Sequence, residues 1–296
     1  VYFYIWIWKT RFFIYDTLYK NIFLHPLFSM SKTDAKLTVK PLFNPNGDDT
    51  VATRTIIKWN TTGLFNLNAT KYSWTKNLYQ VMVGNFWLPE KVSGLWEDAV
   101  QFKTLLSDDE RRAYKGILSF LIFLDSIQTV NLPNFAEYIT APEVNLLLSI
   151  QAYQEAIHSQ SYATILETVV DSQDRDEIYY FWKTDKHLLE RNEFIGGIYQ
   201  DFIDNPTDKN LFRGIVGNFL LESIYFYNGF AFFDTLADMS KMSFKVNSCV
   251  ANSGNRLNSP FSPNPLIPGT LSEASPNKVL YKIKLWDNTP NFSFTV

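Results

Sequence analysis

The stretch LLLSIQAYQEAIHSQSYATILET, Leu146 to Thr168, decides the fold. It carries Glu155, His158 and Tyr162 at spacings of three and four, so on a helix these side chains stack on one face. The surrounding Leu147, Leu148, Ile150, Ile157, Ile165 and Leu166 make such a helix apolar enough to be buried. A carboxylate and an imidazole inside it then need a partner that offsets their desolvation. A metal ion is one such partner, because Glu-x-x-His pairs facing other carboxylate-bearing helices are the units of di-iron and di-manganese four-helix bundles. The plainer alternative is a Glu and a His that satisfy each other or the backbone.

Two more helices carry acids in apolar runs. Ser107, with Glu110 three residues on, has the pattern of a capping box and opens a helix through RRAYKGILSFLIFLDSIQ, in which Asp125 follows the run Ile117 to Leu124. The break Asn205-Pro206-Thr207 introduces a long helix from about Asp208 to Met239, with Glu222 inside GIVGNFLLESIYFYNGFAFF. Phe226 and Phe230 sit four and eight residues after Glu222 and share its face. One buried acid is easily a satisfied core group, whereas three on separate packed helices form a convergent set of ligands. Thr140 and Glu143, with Pro142 in the first turn, predict a second capping box at the start of the Glu155 helix. A further helical pattern begins near Lys71 and stops at Pro89, and residues 174–203 predict one or two helices broken near Thr184-Asp185. With long helices and no strand alternation in this region, the expected fold is an all-α bundle. His187, despite Glu190 three residues on, lies among charged neighbours and reads as a solvated helix face. Tyr162 fits either a core tyrosine or a residue that a metal centre oxidises, and Trp87 reads by default as a packing residue.

Composition narrows the function. In 296 residues, 46% hydrophobic and 17% aromatic content can fill one large core. A net charge of −3 with both signs interspersed gives no basic field for a phosphate backbone, which argues against nucleic acid as a direct ligand. The single cysteine, Cys249, excludes an intrachain disulfide, a thiolate cluster and a dithiol pair within these residues, and fits a reducing, cytoplasmic setting. Only three histidines occur, so a metal site must be rich in oxygen ligands, favouring iron, manganese or magnesium over zinc. Residues 1–29 are aromatic and apolar, yet Lys9, Arg11, Asp16 and Lys20 interrupt every window long enough to span a bilayer. They also lack the features of a signal peptide, so the expectation is no membrane association and upstream translated sequence before Met30, with a membrane anchor as the alternative. Residues 30–67 read as a turn-rich arm. After residue 242 the chain is rich in Asn, Ser, Pro and Gly, and VLYKIKLW, residues 279–286, alternates like a lone strand. The expected organisation is therefore an extension (1–29), a helical domain (30–242) and an irregular tail (243–296).

The segments NFWLPEKV, FLIFLDSIQ, APEVNLLLSIQAYQEAIHSQSY and FLLESIYFYNGFAFF together resemble the small, radical-bearing subunit of class I ribonucleotide reductase, most closely its class Ib branch. The resemblance covers residues 30–242 and implies a ferritin-like helical bundle. Carried over residue by residue, it implies Asp125, Glu155, His158 and Glu222 as metal ligands, and Tyr162 as the radical-bearing tyrosine. Phe226 and Phe230 correspond to its apolar pocket, and Trp87 to the tryptophan of the radical-transfer route. It further implies two iron or two manganese ions per intact subunit, a dioxygen-derived oxidant, a homodimer, a large (alpha) subunit as partner and a flavodoxin-like activator. One departure stands out. The family supplies a second Glu-x-x-His on the next helix, near residues 256–259, where this sequence reads Arg256-Leu257-Asn258-Ser259, and no histidine follows His187. The expectation is an interrupted product that is inactive alone; a ferritin-like oxidase, or a remnant that only dimerises or docks, are the alternatives.

Overall fold

In a computed structural model of the chain, residues 35–91 and 94–242 are described. The readings made for residues 1–29, for the tail 243–296 with its lone strand, and for the window 256–259 lie outside the described residues. Contacts divide the chain into Val1–Ala35 and Lys36–Val296, and every element below belongs to the second unit. Its helices are α1 (Trp74–Gly84), α2 (Leu95–Thr104), α3 (Asp108–Ala136), α4 (Pro142–Val169), α5 (Ser172–Tyr180), α6 (Lys186–Asp204), α7 (Asp208–Leu220) and α8 (Phe226–Asp238). A π turn, Leu221–Tyr225, joins α7 to α8 into one continuous helix. Among the described residues there is no strand, only isolated bridges between Lys36 and Thr207 and between Ile57 and Ile139. The expected all-α, ferritin-like bundle is the observed architecture.

Local capping chemistry explains the starts of three of these helices. Ser107 and Glu110 form the reciprocal capping box that starts α3: the Ser107 side chain accepts from the Glu110 amide, and the Ser107 amide donates to the Glu110 carboxylate at 2.7 Å. Lys241, just past α8, also donates to both Glu110 oxygens, at 2.7 and 2.9 Å. That bond, seconded by the Ser107 donors, holds the Glu110 carboxyl below its ordinary value against the opposing effect of burial. Asp185 caps α6 through the amides of His187 and Leu188, and the Thr207 hydroxyl caps α7 through that of Asn210. α1 ends at Gly84, before Pro89, and α2 is an addition to the sequence reading.

The second capping box is not formed. Pro142 does open α4, but its N-cap is Ala141, with no side-chain cap. Thr140 and Glu143 are both engaged by the arm that precedes α1. The Thr140 hydroxyl accepts from the Trp59 amide at 3.3 Å and lies 3.1 Å from the Ile56 carbonyl, while Glu143 accepts from Arg54 Nη1 at 2.9 Å and from the Lys71 amide at 2.8 Å. Donors brought from far along the chain outcompete the local amides because the tertiary contact also buries both residues.

α3 and α4 pack along their lengths as an antiparallel pair joined by residues 137–141, and form the centre of the bundle. α3, of 29 residues, is long and apolar enough to cross a membrane, with an 18-residue window of mean hydropathy 1.3, but just over half of that window is buried within the protein. Leu118, Leu121 and Leu124 of α3 are completely enclosed, as are Leu147, Tyr162 and Ile165 of α4. Farther along α3, Phe135 stands edge-on to Tyr199 and Phe202 of α6 and lies against Gly214 of α7, where an added Cβ would come within 2.6 Å of its ring. That ring is only 1% exposed and already packed against Tyr199 and Phe202, so it has little room to retreat. Gly214→Ala is therefore expected to lower the unfolding free energy by about 1–3 kcal/mol through overpacking, measured by urea denaturation.

Candidate metal centre

On the inward faces of α3 and α4 the chain buries Asp125, Gln128, Gln151, Glu155 and His158, all 5% exposed or less. Interior helix faces rarely carry so many polar groups without a ligand or a complete hydrogen-bond network. The Glu155 and His158 spacing does what the helical period requires: His158 Nδ1 lies 2.9 Å from Glu155 Oε2, one turn back. The same nitrogen lies 3.6 Å from Asp125 Oδ1 on the neighbouring helix. Asp125, Glu155 and His158 each offer a ligand atom, and the three atoms lie within 4.8 Å of one another. Two carboxylates and one imidazole at that spacing suit a single hard or borderline cation such as iron or manganese. The donor set therefore fits the metal that the helical pattern suggests.

Glu222 lies on the π turn and is 6% exposed, and it is not among the three grouped ligand atoms. Its Oε1 accepts from Gln128 Nε2 at 2.8 Å and from Gln151 Nε2 at 3.5 Å. Gln128 is three residues past Asp125 on α3, and Gln151 four residues before Glu155 on α4, so Glu222 is tied to both helices that carry the triad. Gln128 in turn accepts from the Tyr199 hydroxyl at 2.8 Å. Burial, then the nearby charges of Glu222 and Glu155, push the Tyr199 phenol well above its ordinary value, so it stays protonated.

Tyr162 is fully enclosed one turn beyond His158 on α4. Phe226 and Phe230 are buried on α8 and stacked on each other, with ring centroids 6.0 Å apart and planes inclined by 13°. Trp87, half-buried, lies nearly parallel to the His158 ring, with centroids 6.3 Å apart. Around it Asn85, Phe86, Tyr153, Gln154 and Ile157 line a narrow cleft that reaches His158 and has room for about one water. His187 is exposed on α6, away from this cluster. The amides of Gln128, Gln151 and Asn218 are absent from the sequence reading. Their signal is their spacing: each lies one helical turn from Asp125, Glu155 or Glu222 respectively.

Comparison with known proteins agrees with this helical fold. The family described as ribonucleotide reductase, small chain, matches residues 64–250. The ribonucleoside-diphosphate reductase subunit beta of Aquifex aeolicus is 49% identical over 215 residues, covering 72% of this chain and 31% of that protein. The subunit of the same name from Treponema pallidum is 46% identical over 213 residues, covering 72% of this chain and 60% of that one. The solved ribonucleotide reductase R2 subunit of Clostridium botulinum superposes with a TM-score of 0.72 at 46% identity, over 76% of this chain and 69% of that one. The chain thus spans between about a third and three fifths of the length of these two curated relatives. Over more than half of its residues, this chain belongs to the ribonucleotide reductase small-chain family.

Proposed function

We propose that the protein acts as the radical-generating small subunit of a ribonucleoside-diphosphate reductase, with Asp125, Glu155, His158 and Glu222 as metal ligands and Tyr162 as the residue that stores the radical. The observation that carries this reading is the buried convergence of Asp125, Glu155 and His158. When bound, two iron or two manganese ions would supply, with a dioxygen-derived oxidant, the oxidising power needed to remove an electron from a phenol. The protein's own residues prepare for that. His158 Nδ1 faces a carboxylate oxygen of Asp125 and one of Glu155, so the three groups that would hold an ion are already gathered. The complete burial of Tyr162 excludes the water that quenches phenoxyl radicals, and the family resemblance assigns the stacked Phe226 and Phe230 to its apolar pocket. The parallel approach of Trp87 to His158 supports its place at the start of the route by which the oxidising equivalent leaves.

The substrate is reduced on a partner. With one cysteine, Cys249, these 296 residues hold no dithiol, so a cysteine-bearing large subunit must reduce the ribonucleotide. A homodimer, a flavodoxin-like activator and a cytoplasmic location complete the reading. A second reading, a form inactive by itself, is favoured by one observation: no histidine follows His187 in these residues, so the second ion lacks an imidazole. The test is metal per chain, the tyrosyl signal in electron paramagnetic resonance, and ribonucleotide reduction with a cognate large subunit. In a form given the second Glu-x-x-His, the signal is expected and Tyr162→Phe is expected to abolish it; survival of the signal would move the role to another residue. For the 296-residue chain the expected result is substoichiometric metal and no reduction. Two tightly bound ions with full activity would refute the inactive reading.

A further inference from the structure

Glu222 occupies an irregular place in its helix. The five residues from Leu221 to Tyr225 form a π turn, whose wider hydrogen-bonding pattern is rare in proteins and recurs where a functional side chain must be placed. The brace that reaches it comes from α3. Gln128 is fully buried, and its Nε2 donates to two acceptors on either side of the change in helix type: Asn218 Oδ1, in the last turn of α7, and Glu222 Oε1, within the π turn. On its other side the Gln128 carbonyl accepts from Tyr199 of α6. These partners fix which way round the amide sits. Flipped, its oxygen would face the Glu222 carboxylate and the Asn218 carbonyl, two acceptors with nothing to donate.

We propose that Gln128, braced by Tyr199 and Asn218, is a positioning residue that spans the junction of α7 with the π turn and sets the direction in which Glu222 presents its carboxylate to a metal ion. The proposal rests on reading Asp125, Glu155, His158 and Glu222 as ligands. Outer hydrogen-bond partners act on metal affinity by fixing a ligand's orientation before the ion arrives. Gln128 touches no ion in this scheme and acts through Glu222 alone.

That restriction makes the proposal testable by a double-mutant cycle on the 296-residue chain. Mn(II) binding would be followed by the paramagnetic resonance signal of the free ion in the parent chain, Gln128→Leu, Glu222→Ala and the double variant. Gln128→Leu is expected to weaken binding by roughly 10–100-fold. In the Glu222→Ala background the same change is expected to have no further effect, whereas a merely structural role would weaken binding in both backgrounds. Tyr199→Phe, which deletes one oxygen, is expected to weaken binding in the same direction by less, and it serves where Gln128→Leu does not fold. Parent-like binding in both Gln128→Leu and Tyr199→Phe would overturn the proposal, as would a loss that persists without Glu222. Failure of the ligand reading itself looks different: Asp125→Ala and Glu155→Ala would then leave Mn(II) binding unchanged, and both ideas would fall.

Discussion

Replacing Arg54 by methionine is expected to lower the unfolding free energy by about 3–5 kcal/mol, the usual consequence of removing one partner from a buried ion pair. Arg54 and Glu143 are 1% and 2% exposed, and their charges meet at 2.9 Å between residues 89 positions apart in the chain. The same guanidinium donates to the Ala69 carbonyl at 2.8 Å and lies 5.0 Å from the centroid of Trp59. Without it, Glu143 keeps the amides of Lys71 and Tyr72 as donors but loses the opposite charge. Pairing Arg54→Met with Glu143→Gln is expected to restore part of the loss, because the second change removes the stranded charge. Denaturant unfolding of the two single variants and the double variant measures this; a loss under about 1 kcal/mol for Arg54→Met would show that the arm is only loosely held.

The other large effect is on metal binding. His158→Ala is expected to weaken Mn(II) or Fe(II) binding by more than the roughly 10–100-fold that loss of an outer partner costs, since it deletes a proposed ligand and, among the described residues, the cluster's one imidazole. His187→Ala is expected to leave binding unchanged, because that side chain is exposed on α6. Isothermal titration of both variants checks the pair. Equal losses would mean that the observed affinity reports scattered surface sites rather than the buried cluster.

Much of the architecture was legible because helical period and capping chemistry are local. Ser107 with Glu110, Asn205-Pro206-Thr207 and the Glu155, His158, Tyr162 spacing each fix a helix or a face within a few residues. What was not legible depends on residues far apart in sequence. Thr140 and Glu143 carry the letters of a capping box, yet they bond to Arg54, Trp59 and Lys71, a competition invisible in a window of four residues. The candidate ligands were readable because a charge in an apolar run is conspicuous. Gln128, Gln151 and Asn218 were not, because a neutral amide one turn from an acid looks like an ordinary polar residue until its partners on other helices are known.

The π turn makes the length of this helix matter to the single residue. A π turn accommodates one residue more than an α-helical path between the same endpoints, so removing any one of Leu221 to Tyr225 would allow regular α-helix to close the gap. The helices on either side would then keep their phase, whereas a deletion within the regular helix of α7 would rotate everything downstream by about 100°, since an α-helix has 3.6 residues per turn. The stripe of Phe226, Phe230 and Phe233 would leave the core side, and Tyr227, now half exposed, would swing toward it. Substitutions at exposed positions of α7 and α8 are cheap by comparison, because they leave the phase between the two halves untouched. Within α7 and α8 insertions and deletions are thus far more restrictive than changes of residue type, and the π turn is where one residue can be lost with the two halves still in phase, at the expense of how Glu222 is presented.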